Sequence, residues 1–166
     1  MGASPRSTST QPSDRHFPAS SPPLPHRRQQ LGPRNNVVLI AEDVEDIRDL
    51  YVEFLQFRGF RTAVARDGEE AVALAVSLRP HVIIMDLKMP RLNGVGATRR
   101  LKQDRRTRGI PIILLTGYVA TDQGALDAGA AVFLTKPCLP EELESNVRRL
   151  LLEPDVRSRA AAPRRQ

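Results

Sequence analysis

Val82-Ile83-Ile84-Met85-Asp86 decides the fold: four apolar residues run straight into one carboxylate, and Lys88-Met89-Pro90 and Asn93-Gly94 follow at once. A continuous apolar run this short, bounded by turn residues, reads as a strand buried on both faces. Its polar end emerges at a turn, because Pro90 cannot continue a ladder and Gly94 tolerates unusual dihedrals. In open parallel α/β sheets, ligands bind outside the carboxyl ends of the strands. Asp86 is therefore a candidate site residue. An isolated Asp at a strand end is more often a turn cap, so its neighbours must decide its role.

Outward from this stretch the pattern alternates. Val37 to Ala41 reads as a first buried strand, and Ile47, Leu50, Tyr51, Phe54 and Leu55 then recur at helical spacing as one apolar stripe. Gly59 stands where a helix C-cap glycine belongs. Phe60 to Ala65 alternates as a second strand. Asp67 and Glu70 open a second helix like a capping box, with Ala71, Leu74, Ala75 and Leu78 as its inner face. After the Asp86 strand, a polar helix is expected over about Val95–Gln103, with Arg99, Arg100 and Lys102 exposed. Ile110–Thr116 is the fourth strand, Thr121–Ala128 a short fourth helix and Ala131–Leu134 the fifth strand. Pro140 starts the last helix, lined by Leu143, Val147, Leu150 and Leu151. Five strands alternating with five helices predict a parallel sheet with right-handed crossovers and helices on both faces.

Charge separates the ordered region from its flanks. The formal net charge is +6, yet residues 37–152 hold 16 Lys/Arg against 16 Asp/Glu. The excess sits in residues 1–36, with five Arg against Asp14, and in residues 153–166, with four Arg against Glu153 and Asp155. Nucleic-acid binding by the domain is therefore not implied. Residues 1–35 contain seven of the 14 prolines and almost no bulky aliphatics, too little apolar area to offset ordering entropy. They are expected to be disordered, as is the Arg/Ala-rich stretch 153–166, leaving a domain over 36–152. One cysteine, Cys138, fits a reducing compartment. No apolar run approaches the ~20 residues of a membrane helix, and no signal-peptide core is present, so a cytoplasmic location is expected.

In that architecture the residues closing each strand converge. The first strand ends in Glu42-Asp43, the third in Asp86, the fourth in Thr116, and the fifth leads into Lys136-Pro137. Three carboxylates at close quarters repel one another unless a cation intervenes. Hard oxygen ligands of this kind suit Mg²⁺, whose shell waters and phosphate oxygens complete. A lysine and a hydroxyl beside them would complete a site for a transferred phosphoryl group, a reaction catalysed mainly by positioning and charge neutralisation.

VVLIAED (37–43), VIIMDLKMPRLNG (82–94), PIILLTG (111–117) and AVFLTKP (131–137), in this order and spacing, resemble the receiver domain of two-component response regulators, the CheY-like superfamily. The resemblance covers about residues 36–152. It implies a flavodoxin-like doubly wound (βα)5 fold, strand order 2-1-3-4-5. It further implies that Asp86 accepts a phosphoryl group from a sensor histidine kinase or histidine phosphotransfer protein. By the same resemblance Glu42, Asp43, Asp86 and the backbone carbonyl of Lys88 hold Mg²⁺, with Glu42 acting through water. Thr116 and Lys136 would contact the phosphoryl group, Phe133 would be the switch aromatic, and Lys136-Pro137 would be cis. The implied output is a changed protein-binding face of the fourth helix, fifth strand and last helix. Lys88 and Tyr118 flank the path of the hydrolytic water in the family, and their bulk and charge suggest a long-lived phosphoaspartate.

Only 14 residues follow Leu152, too few for a DNA-binding or enzymatic output domain, so a stand-alone switch acting on an unknown protein target, without direct DNA binding, is expected. The alternative is a receiver-fold interaction module that acts independently of phosphorylation; it predicts loss of site residues, and all are present. An enzyme reading, a phosphatase of the haloacid dehalogenase type, needs its Asp nucleophile on the first strand with a second Asp two residues on. Here Leu87-Lys88 follow the third-strand Asp86, so that reading fails. His16, His26 and His81 receive no role, and Cys138 reads as a packed thiol. Arg99, Arg100, Lys102, Arg105, Arg106 and Arg108 read as a solvated face without the aromatic interleaving of nucleic-acid surfaces.

Overall fold

The computed structural model describes residues 36–117, 124 and 127–153. Among them, five strands, β1 (Val37–Ala41), β2 (Arg61–Ala65), β3 (Val82–Asp86), β4 (Ile112–Thr116) and β5 (Val132–Thr135), form one sheet in the order β2-β1-β3-β4-β5. Every pairing is parallel; Ile40 stands beside Val64 on one side and Ile84 on the other, and Asp86 beside Leu115. The helices are α1 (Glu45–Phe57), α2 (Gly68–Leu78), α3 (Gly94–Gln103) and α4 (Pro140–Leu152). This is the expected flavodoxin-like fold and strand order.

Strand side chains alternate between faces, and both faces are covered. Val38, Ile40, Ile84, Ile113 and Leu115 meet Tyr51 and Leu55 of α1 and Leu143, Val147 and Leu150 of α4. Leu39, Ile83, Met85, Ile112 and Leu114 meet Ala71 and Ala75 of α2 and Ala97 and Leu101 of α3. The four apolar residues of β3 have no exposed surface, the state that their unbroken run predicted.

Local signals hold where backbone chemistry decides. Gly59, at φ 91°, donates to the Gln56 carbonyl while Phe60 donates to that of Leu55, a Schellman closure of α1. The Asp67 carboxylate accepts from the Glu70 amide and caps α2, but the Glu70 carboxylate reaches the Arg66 amide rather than Asp67. Four expectations change. Leu50 and Leu78 are exposed, because α1 meets the sheet through Arg48, Tyr51 and Leu55, and α2 through Ala71 and Ala75. Lys102 is partly buried and donates to the carbonyls of Arg108 and Ile110. β4 begins at Ile112; Pro111 precedes it and contributes its carbonyl to the Ile83 amide.

The expected tails, the helix over Thr121–Ala128 and the setting of Tyr118 fall wholly or mostly outside the described residues. Among the described residues, no helix is long and apolar enough to cross a membrane.

Candidate functional site

The carboxyl ends of β1, β3, β4 and β5 lie side by side, so register alone gathers the polar residues that close them. Glu42 follows β1, and its amide donates to the Ala65 carbonyl, continuing the ladder by one residue before the chain turns into α1. Glu42 is buried at 1% exposure, Asp43 beside it is exposed, and Asp86 is buried at 5%. One carboxylate oxygen from each of Glu42, Asp43 and Asp86 lies within 4.8 Å of the others. These three fit a hard divalent cation: the donors are all oxygen, they converge, and one of them opens to solvent.

Lys136 enters from the end of β5. Its Nζ stands 2.8 Å from Asp86 Oδ1 and 2.6 Å from Glu42 Oε2, bridging the two buried acids. The backbone brings it there through the Lys136 amide, which donates to the Thr116 carbonyl at 2.7 Å. The Lys136-Pro137 bond is cis, as expected. Thr116, buried at the end of β4, is next to Leu115, the register partner of Asp86. The other oxygen of Asp86, Oδ2, accepts from the Lys88 amide at 3.2 Å, while the Lys88 side chain is exposed. The structure thus brings together Glu42, Asp43, Asp86 and Lys136, with Thr116 and the Lys88 backbone at the margin. Phe133 is set apart. It lies partly buried in the apolar cluster beneath α2 and α3.

Electrostatics match a pocket held by one cation. Burial pushes the Glu42 carboxyl above its usual value, Lys136 pulls it down by hydrogen bond and charge, and the nearby Asp86 pushes it up again; burial prevails. For Lys136, burial lowers the ammonium, yet its hydrogen bonds to Asp86 and Glu42 outweigh it and raise the pKa. The lysine therefore stays charged between two acids. Cys138 is no competing nucleophile: burial, with Glu142 nearby, pushes its thiol to about 11.

Supporting residues escaped the sequence reading. Arg48, buried on α1, donates to the Glu42 carbonyl at 3.3 Å and holds the β1–α1 turn. Arg91, in the β3–α3 loop, pairs with the buried Asp67. No spacing signal announces either contact.

Residues 38–148 match the family model for the response regulator receiver domain. The chain is 38% identical over 126 residues to the DNA-binding dual master transcriptional regulator RpaA of Synechocystis, covering 75% of this chain and 52% of that one. The chain spans about half the length of the curated relatives it matches. Among solved structures, the chemotaxis protein CheY4 of Vibrio cholerae matches with a TM-score of 0.66 and 32% identity, over 70% of this chain and 98% of that one. The receiver domain of sensor histidine kinase PA1611 from Pseudomonas aeruginosa, solved with magnesium in its active-site cleft, matches with a TM-score of 0.68 and 30% identity, over 72% and 99%.

Proposed function

This chain belongs to the family of response regulator receiver domains, and on that premise we propose that it is a stand-alone switch phosphorylated on Asp86. The observation that carries the reading is the bridge from Lys136 to Asp86 and Glu42 inside a cluster of three carboxylates. The donor is a phosphohistidine of a sensor kinase or phosphotransfer protein. An Asp86 oxygen attacks phosphorus, the O–P bond forms as the P–N bond breaks, and the imidazole leaves with the electron pair.

Glu42, Asp43, Asp86 and the Lys88 carbonyl are the residues that would hold Mg²⁺, with Glu42 acting through water. Bound there, it supplies neutralisation of the carboxylates and of the phosphoryl oxygens. Lys136 pairs with the phosphoaspartate, and the Thr116 hydroxyl hydrogen-bonds a phosphoryl oxygen. Inward movement of Thr116 lets Phe133 turn, reshaping a face that includes β5 and α4 for a downstream protein. The near-complete cover of the CheY4 chain supports a receiver as the working unit over 36–152, and the balance of 16 Lys/Arg against 16 Asp/Glu over 37–152 supports action through protein contact rather than DNA. The bulk and charge of Lys88, whose amide bonds Asp86 Oδ2, support a long-lived phosphoaspartate.

The test is intact mass after incubation with acetyl phosphate and Mg²⁺, for wild type and Asp86→Asn. A phosphate-sized gain confined to wild type is expected. No gain in wild type would overturn the reading in favour of a module that acts without phosphorylation.

A further inference from the structure

The β3–α3 loop, residues 87–93, carries the Lys88 carbonyl and amide to the site, so whatever holds that loop also holds one side of the pocket. Its inner end is anchored by backbone: Gly94 donates to the Leu87 carbonyl at 3.0 Å, and Leu87 donates to the Leu115 carbonyl at 2.9 Å. Its outer end leans on another element altogether. The Gly68 amide, at the start of α2, donates to the Leu92 carbonyl at 3.0 Å. The approach is so close that a Cβ on Gly68 would stand 2.2 Å from that oxygen.

Arg91 completes this second anchor. Its guanidinium pairs with Asp67, which has no exposed surface and divides its two oxygens between separate tasks. Oδ1 caps α2 through the Glu70 amide, and Oδ2 takes the Arg91 guanidinium. A buried carboxylate needs a counter-charge, and Arg91 supplies it from the loop. Arg91 also has φ 62°, a left-handed conformation that a non-glycine residue keeps only where its surroundings enforce it. The ion pair is such an enforcement. Its side chain is 67% exposed, so core packing does not explain the geometry.

We propose that Arg91 is a positioning residue whose ion pair with Asp67 clamps the β3–α3 loop onto the start of α2, holding the Lys88 backbone where Asp86 and a divalent cation need it. The inference rests on the phosphoacceptor reading above. Without the clamp the outer end of the loop keeps only the Gly68–Leu92 hydrogen bond and the partial packing of Met89 and Leu92 on the core, and the Lys88 carbonyl is held less firmly.

The experiment titrates the full chain with Mg²⁺ alone by calorimetry, and follows exchange of the Gly68 amide by NMR. Three variants separate the causes. Arg91→Asn tolerates the left-handed backbone but lacks the charge, Arg91→Lys keeps the charge, and Asp67→Asn keeps a capping oxygen but loses the counter-charge. Mg²⁺ affinity is expected to fall five- to tenfold in Arg91→Asn and Asp67→Asn, with faster Gly68 exchange and unchanged circular dichroism, and to return most of the way in Arg91→Lys. Arg91→Asn affinity within twofold of wild type would overturn the clamp. So would an Arg91→Lys variant as weak as Arg91→Asn. Absence of Mg²⁺ binding by wild type would instead sink the functional reading, and the clamp's role in the site with it.

Discussion

Lys102 sits in the last turn of α3 with its ammonium turned onto the carbonyls of Arg108 and Ile110, at 3.1 and 2.7 Å. Burial lowers its pKa from the usual 10.5 to about 8. Between those values the unfolded chain holds a proton that the folded chain has released, so this residue makes stability rise with pH across that window. The whole shift would amount to about 3 kcal/mol, and residual hydration of a partly exposed amine trims it to about 1–2 kcal/mol. Urea unfolding of wild type and Lys102→Met at pH 7 and pH 10 checks this: the wild type should gain on the variant by that amount as pH rises. An unchanged gap would refute it. The residue also shows what a sequence hides. Placed among Arg99 and Arg100 it reads as one more solvated cation, because spacing gives a helix face but not the carbonyls that a following loop brings under it. Asp86, Glu42, Asp43 and Lys136 were legible for the opposite reason: parallel register delivers strand ends to one edge whatever the loops do. Arg91 was not legible, since its partner lies 24 residues away and nothing local marks the pair.

Elements are pinned to one another at a few points. Gly94 opens α3 directly beneath β3, where a Cβ would stand 2.2 Å from the Asp86 carbonyl oxygen. Gly94→Ala should therefore cost about 3 kcal/mol, read from the urea midpoint, because backbone rather than a movable side chain blocks the methyl. A second pin joins α1 to α4. The buried Glu144 accepts from Arg58 at 2.7 Å and from Arg148 at 2.6 Å. Burial pushes its carboxyl upward, but the two guanidiniums outweigh that and hold it below its usual 4.5. Its contribution is thus present above that value and lost as pH falls through the depressed pKa. Glu144→Gln should cost about 1–2 kcal/mol at pH 7, with both cations partly exposed, and less at pH 3. A gap that stays constant down to pH 3 would contradict this. Elements themselves were read well where burial covers both sides, as in β3. They were read less well at helix rims. Leu50 belongs to the same spacing as Tyr51 and Leu55, yet stands 52% exposed, because periodicity cannot tell how far a neighbouring element overhangs.

On the scale of the whole chain, charge and core separate cleanly. Among the described residues, both apolar clusters draw on positions between Val38 and Leu151, while the formal excess of +6 comes from residues 1–36 and 153–166. A fragment of residues 36–153 should therefore melt within a few degrees of the full chain and accept phosphate equally well on Asp86. Its nearly balanced charge gives it no general attraction to anionic surfaces, whereas the full chain carries nine Arg against three acids in the flanking stretches. Retention on a phosphocellulose column is expected for the full chain at low salt, and weakens as the screening length falls to about 8 Å near 0.15 M. The fragment should pass through at every salt concentration. Retention of the fragment would locate an anion-attracting face within the domain itself, with Arg99, Arg105 and Arg108 the first residues to substitute. A lowered melting point in the fragment would show instead that the flanking residues contribute to the fold.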